Sequence, residues 1–496
     1  MWAMALAFDV SGLPLLFIAG LGLGCAGWWV YEYLFDPDHH HETHSAYGAA
    51  HWAGRRDLKR MELFGPDGIV LGRYRGRLLR HKTDKHLLTL APNRAGKGVS
   101  AIIPNILTWP GSVLVIDPKG ENAMVAARRR REMGQSVHIL DPWHITGLGG
   151  ARFNPLLTLQ PDSPDLIEDA ALLADTLVVP GAKTEDEFWN GEARSLLAGL
   201  IMHVVTTELP EHRHLGALRE MLTGGEKDFA DLLEDMLDNN AADGLVARTA
   251  QRLMQKTDRE RSGVISTAQA QTHFLDSPRM ANILAGSSFD LSDLKAAPTT
   301  IFLVLPADRL ATHGRWLRLM VGLTIAGLTR DRLVPAHPVL MVLDEFAALG
   351  RLQTVETAIG LLAGFGALLW PILQDLSQLQ DLYPNRWRSF IANAGMVQAF
   401  GVNDVGTAEY LSKMLGQRTV TVRGHGRSND HTTERGSENY AATGRPLLMP
   451  QEILRLPPDQ QLLFLSGQPP ILANRARYYA DPEFAGLFDP NPMSRG

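Results

Sequence analysis

Residues 88–104 read LTLAPNRAGKGVSAIIP, with Gly96 and Lys97 in a turn between two apolar runs. Glycine lets backbone N–H groups close around anionic oxygens, lysine adds a point charge, and a helix starting there presents its positive end. The chemistry on offer is phosphate binding. The spacing GxxxxGK[ST] describes loops that do this, and it is met only in part. Ala91 stands at the first glycine, where φ need not be positive and the cost is one methyl. Gly98 stands where a hydroxyl would ligate Mg2+, so the ion would need water or the Ser100 hydroxyl. The cradle candidates are Ala91, Pro92, Asn93, Arg94, Ala95, Gly96, Lys97, Gly98, Val99 and Ser100. Alone, a Gly-Lys-Gly turn is weak evidence for a nucleotide site.

The stretch PVLMVLDEFAALG strengthens it. Five apolar residues, Val339 to Leu343, lead to Asp344 and Glu345, the pattern of a buried strand delivering two carboxylates at its C-terminal end, where α/β sheets bind ligands. Successive strand residues point to opposite sides. On that basis Asp344 holds a Mg2+ ion and Glu345, at the exit, polarises water for attack on a phosphate. Gln374, ending ALLWPILQ, is placed to sense a terminal phosphate or orient water, and a plain strand-exit turn is the alternative. Asp117, Lys119 and Glu121 in SVLVIDPKGEN shape either a nucleotide pocket, a subunit contact or a simple turn.

These groups need a sheet to bring them together. Strands are expected over His86–Ala91, Ser112–Asp117, Ser136–Leu140, Thr299–Leu305, Pro338–Asp344, Ala367–Gln374 and Met396–Phe400, alternating with helices as in a parallel sheet covered on both faces. Further runs at Gln461–Leu465 and Ile471–Tyr479 close it. Between Leu140 and Thr299 the periodicity is helical, as in FWNGEARSLLAGLIMHVV. The fold expected is an α/β nucleotide-binding body, residues 85–160 and 297–496, interrupted by an all-α domain, residues 161–296. Residues 422–445 are poor in aliphatic side chains and rich in Gly, Ser, Thr and Asn, and are expected to form a mobile loop. The basic runs Arg73–Lys82 and Arg128–Arg131 are read as solvated faces in preference to contacts with DNA phosphates or anionic lipid.

The 496 residues are 45% hydrophobic with a formal net charge of -6, a globular composition that rules out a coating of positive charge and confines any nucleic-acid contact to local basic patches. The single cysteine, Cys25, excludes an intramolecular disulfide and a thiolate metal cluster. No charged residue lies between Asp9 and Glu32. A transmembrane helix is therefore expected near Leu13–Tyr33 within residues 1–35, with Trp28, Trp29, Tyr31 and Tyr33 at one interface. A signal peptide fits less well, lacking a basic start and a clear cleavage site. Arg55, Arg56, Lys59 and Arg60 follow the span and no side-chain cation precedes it, which places the main body in the cytoplasm. The histidines of DHHHETH, in the juxtamembrane linker and lead-in of residues 36–84, are read as hydrated linker, with metal binding as the alternative.

In order along most of the chain, APNRAGKGVSAIIPNIL, SVLVIDPKGEN, DEFWNGEARSLLAGLI, VLDEFAALGRL, ILQDLSQLQDLY and GRPLLMPQEILRLP resemble the TraG-type conjugative coupling proteins of type IV secretion systems. The resemblance implies an ATPase in the bacterial inner membrane with a RecA-like P-loop NTPase domain, an inserted all-α domain and assembly as a homohexamer. It implies ATP and Mg2+ as cofactors, and DNA with its relaxase, together with the secretion channel components, as partners. In that family the loop often reads GKG. By carry-over Lys97 contacts phosphate, Asp344 supports Mg2+, Glu345 activates water and Gln374 senses the nucleotide. A trans-acting arginine is also implied, with Arg351, Arg418 and Arg445 all open. Many relatives have two transmembrane helices, whereas one is found here. A double-stranded DNA pump of segregation type and a non-catalytic membrane docking platform stay open as alternatives.

Overall fold

The computed structural model describes residues 45–179, 181, 184–427 and 436–493. The expected membrane span and the histidine cluster lie outside the described residues, and among those described no helix is long and apolar enough to cross a membrane. Contacts divide the chain into two compact units. One draws on Met1–Ala50 and Gly416–Leu447, the other on His51–Leu415 and Leu448–Gly496.

The larger unit is built on β1 (Ile69–Tyr74), β2 (Arg77–His81), β3 (His86–Leu90), β4 (Val113–Asp117), β5 (Ser136–Leu140), β6 (Thr299–Val304), β7 (Val339–Leu343), β8 (Ala367–Leu373) and β9 (Ala394–Ala399). The smaller unit supplies β10 (Gln417–Arg427) and β11 (Gly436–Pro446), and the chain returns with β12 (Gln460–Leu465) and β13 (Ile471–Asn474). The large sheet runs β2-β1-β13-β12-β9-β3-β8-β7-β4-β6-β5. From β9 to β5 every pairing is parallel, while β12, β13, β1 and β2 pair antiparallel. The sheet is therefore mixed, where an all-parallel one was expected. Its central strands β3, β4, β6, β7 and β8 are buried along their whole length, which is why they read as unbroken apolar runs.

Strand positions agree with the sequence reading to within a residue or two, except at the end. The run expected over Ile471–Tyr479 pairs only as far as Asn474, and Arg475 leaves the ladder for a different task described below. Between β5 and β6 the described residues form helices and no strand, the longest being Thr184–Thr207. Contacts keep this segment in the same unit as the sheet.

Three further expectations are corrected in part, Arg75, Arg77, Lys82 and Arg131 being exposed as expected of solvated faces. The lead-in Arg73–Lys82 is part of a hairpin, turning through Arg75 and Gly76 with φ of 48° and 80°. It is held by Ile69, Val70, Leu71 and Leu79 in the core, and Arg73 pairs with Asp481 and Glu483. Of the run Arg128–Arg131, Arg130 is fully buried. It donates to Thr300 Oγ1 at 2.8 Å and to the carbonyls of Ile106 and Gly111 at 3.0 and 2.7 Å. Burial lowers its pKa to about 9, and the main-chain carbonyls around it replace the hydration it gives up. Lastly, much of residues 422–445 is no loop. In the smaller unit β10 and β11 form a two-stranded antiparallel ribbon, in register from Gln417 opposite Pro446 to Arg427 opposite Gly436. Backbone pairing needs no aliphatic core, and the alternating Thr419, Val420, Thr421 and Val422 favour it.

His86 opens β3 buried in the sheet, where its Nδ1 accepts the Leu369 N–H at 3.0 Å. Burial lowers its pKa to about 4. The unfolded histidine, near pKa 6.5, binds more protons than the folded one between those values. The stability it leaves intact above about pH 6.5 is thus lost as pH falls toward 4, by roughly 2–4 kcal/mol. Urea unfolding at pH 7 and pH 4 should show this loss, and His86→Gln, which keeps an acceptor but cannot charge, should flatten it.

Candidate active site

The phosphate-loop sequence sits at the C-terminal end of β3, the middle strand of the eleven-stranded sheet and the second of its parallel strands. Ala91 stays attached to the sheet, its N–H bonding Leu373 O of β8 at 2.8 Å. The loop then turns through Arg94 and Gly96, with φ of 63° and 84°. Gly96 disfavours a side chain through its positive φ, and the Arg475 guanidinium lies in ordinary contact distance, 3.4 Å from the Cβ position. A single π turn, Gly98–Ile102, leads directly into the helix Ile103–Thr108. The first N–H groups of such a turn have no carbonyl behind them. The Ser100 N–H is taken by Gly96 O at 3.0 Å, and its hydroxyl is buried with no hydrogen-bond partner.

Strand order sets the rest. From β3 the sheet steps to β8 and then to β7, so Gln374 leaves the sheet between the loop and the acids. Lys97 Nζ lies 2.8 Å from Asp344 Oδ1 and also bonds Glu345. Gln374 Nε2 donates to Glu345 Oε2 at 3.1 Å. Strand alternation put Asp344 and Glu345 on opposite sides, and that expectation fails. Glu345 takes φ 51°, a left-handed conformation uncommon for a non-glycine residue, and both carboxylates turn onto one ammonium. Strain of this kind concentrates at functional sites.

The electrostatics follow from burial. Burial works against the Lys97 ammonium, but the two carboxylates outweigh it and its pKa is raised. Burial pushes the Asp344 carboxyl above its ordinary range against the pull of Lys97. A carboxylate this dry requires a cation beside it. Lys97 serves here, and a divalent metal would serve once the lysine turned to a phosphate. Among the described residues no group of three or more His, Cys, Asp or Glu forms a metal cage. Mg2+ is bound through one or two carboxylates together with phosphate oxygens and waters, and Asp344 offers one such carboxylate.

Asp117 ends β4, the strand beyond β7, and accepts from Ala123 N–H at 2.9 Å and Asn122 Nδ2 at 3.3 Å. Burial pushes its pKa up to about 7, the Ala123 bond pulling it down and the charges of Asp344 and Glu121 pushing it up. It therefore ties the next helix to the sheet beside the acids. Lys119 is exposed. Arg351 is engaged by Glu356 at 3.0 Å, while Arg418 and Arg445 face each other across the β10–β11 ribbon of the smaller unit.

Sequence reading missed Arg475. Its Nη1 donates to Ala95 O in the loop, and its guanidinium lies 5.0 Å from the Phe400 ring centroid, so a second cation rests against the phosphate loop. Nothing in NRARYY marks this residue; only the return of β13 to the sheet carries it there.

Similarity to known proteins agrees with this geometry. Over 501 residues the chain is 27% identical to the conjugal transfer protein TraG of Escherichia coli, covering 88% of this chain and 77% of that protein. It is 28% identical over 475 residues to the protein VirD4 of Agrobacterium fabrum, covering 90% and 68%. The fold resembles the plasmid coupling protein TrwB in complex with ADP and Mg2+, with a TM-score of 0.64 at 18% identity over 86% of this chain and 94% of that one. A family model described as type IV secretory system conjugative DNA transfer matches residues 45–491, and the chain belongs to that family.

Proposed function

We propose that this protein is the coupling ATPase of a type IV secretion system, hydrolysing ATP to drive a DNA substrate with its bound relaxase toward the secretion channel. The observation that carries this reading is the convergence of Lys97, Asp344, Glu345 and Gln374 at the C-terminal edge of three adjacent parallel strands, in a chain of the conjugative DNA transfer family. A RecA-like core working as a homohexamer in the inner membrane, with its main body in the cytoplasm and residues 161–296 as an all-α domain, completes the proposal.

In this mechanism Lys97 leaves the two acids to meet the phosphates, while the loop N–H groups from Gly96 onward and the Arg475 cation hold the loop around them. Freed of its ammonium, Glu345 accepts a proton from the attacking water, and the Gln374 amide fixes the carboxylate in place. Asp344, with the buried Ser100 hydroxyl nearby in sequence to the loop lysine, provides oxygens suited to Mg2+. The ion would supply charge neutralisation of the phosphates when bound. A docking platform without turnover has no use for a water-polarising carboxylate held in a strained conformation.

The test is ATP turnover by the full-length protein with and without single- or double-stranded DNA. Turnover stimulated several-fold by DNA is expected. Turnover indifferent to DNA would point to an ATPase with another task, and no turnover in any condition would favour the docking platform.

A further inference from the structure

Gly98 stands where phosphate loops commonly place a metal-binding hydroxyl, and what faces it is a carboxylate. Apart from its chain neighbours and its own turn, the atom that comes within 4 Å of a Cβ built on Gly98 is Glu121 Oε2, at 3.9 Å. A hydroxyl on that Cβ would share its surroundings with the Glu121 oxygen. Glu121 opens the helix Glu121–Glu132 after β4, and β4 runs parallel beside β7 with Val115 opposite Val342. Asp117 and Asp344, each two residues further on, leave the sheet side by side, which brings the start of this helix to the phosphate loop.

The other Glu121 oxygen, Oε1, accepts from Asn491 Nδ2, leaving Oε2 toward Gly98. Two buried oxygens flank this contact in sequence without any hydrogen-bond partner: Ser100 Oγ, two residues past Gly98, and Asn122 Oδ1, next to Glu121. Both are at least nine-tenths buried. Buried polar atoms are normally satisfied, so unpaired oxygens within two residues of Gly98 and Glu121 favour a cation or its waters at this contact.

We propose that Glu121 replaces the missing loop hydroxyl as an oxygen ligand, direct or through water, of the Mg2+ that accompanies the nucleotide. The inference rests on the nucleotide-binding reading above. Mg2+ prefers oxygen ligands and is held by few carboxylates, and a carboxylate binds it more strongly than a neutral hydroxyl. The exchange has a signature. Without metal, Glu121 repels the polyphosphate; with metal, it attracts the complex. Glu121 therefore makes nucleotide affinity depend on Mg2+ more steeply than a hydroxyl would.

The experiment titrates a fluorescent ADP analogue into the full-length chain in excess Mg2+ and, separately, in EDTA. Glu121→Gln keeps the shape and the acceptor for Asn491 while removing the charge. It should weaken binding in Mg2+, leave binding in EDTA equal or tighter, and reduce the ratio of the two affinities about tenfold. Adding Gly98→Ser to Glu121→Gln should restore part of that ratio by returning a hydroxyl. An unchanged ratio in Glu121→Gln overturns the proposal. So does an equal loss in both arms, which would assign Glu121 a structural role only. If the wild-type chain binds the analogue in neither arm, the nucleotide reading itself fails, and the proposal with it.

Discussion

Lys97→Ala is expected to abolish ATP hydrolysis and weaken nucleotide binding at least 100-fold, as measured by turnover and by titration of a nucleotide analogue. The lysine is the cation that the loop offers to phosphate, and a charge-assisted contact in a water-poor site is among the stronger single interactions available. A second consequence separates this variant from a simple loss of contact. In this structure Lys97 pairs with both Asp344 and Glu345, all three side chains being mostly buried. Removing it leaves two like charges close together in a poorly hydrated place, and breaking a buried pair costs about 3–5 kcal/mol. Some water reaches this site, so about 2–4 kcal/mol is the fitting expectation, read as a lower unfolding midpoint of the nucleotide-free protein. Full binding by Lys97→Ala would remove the lysine from the site's chemistry.

Glu345→Gln should leave binding nearly intact. The amide keeps the size of the side chain and can still accept from Gln374, so nucleotide affinity is expected within about threefold of the parent, while turnover falls by roughly 10²–10⁴, the range ascribed to a general base. A fall in kcat at nearly constant KM is the signature of a group that acts mainly in the transition state. The variant should accumulate bound ATP, countable by rapid filtration. Unchanged turnover would exclude Glu345 as the base and turn attention to the neighbouring carboxylates, Asp344 first.

Much of the site was legible because its signals are local. The Gly96–Lys97 turn after an apolar run, and the acid pair after five apolar residues, each declare a strand exit. What could not be read is contact between distant segments. Arg475 reaches the loop because an antiparallel return strand ends beside it, and no spacing in the sequence encodes that approach. Arg130 looked like a surface charge because one basic residue in a basic run carries no mark of burial. The β10–β11 ribbon looked like a loop because main-chain pairing needs no aliphatic side chains to mark it.

The sequence by itself determined the positions of strands β3 to β9 and β12, the helical character of residues 161–296 and the identities of the lysine, the acids and the amide, because each follows from hydrophobic period and residue chemistry along one short segment. Only the tertiary structure decided that β8 lies between β3 and β7, so that Gln374 stands between the loop and the acids. It alone decided that Glu345 turns left-handed onto Lys97, and that Glu121 faces Gly98. Strand order and side-chain convergence are set by the packing of the whole sheet, a sum over contacts far apart in the chain, and no window of sequence contains that sum.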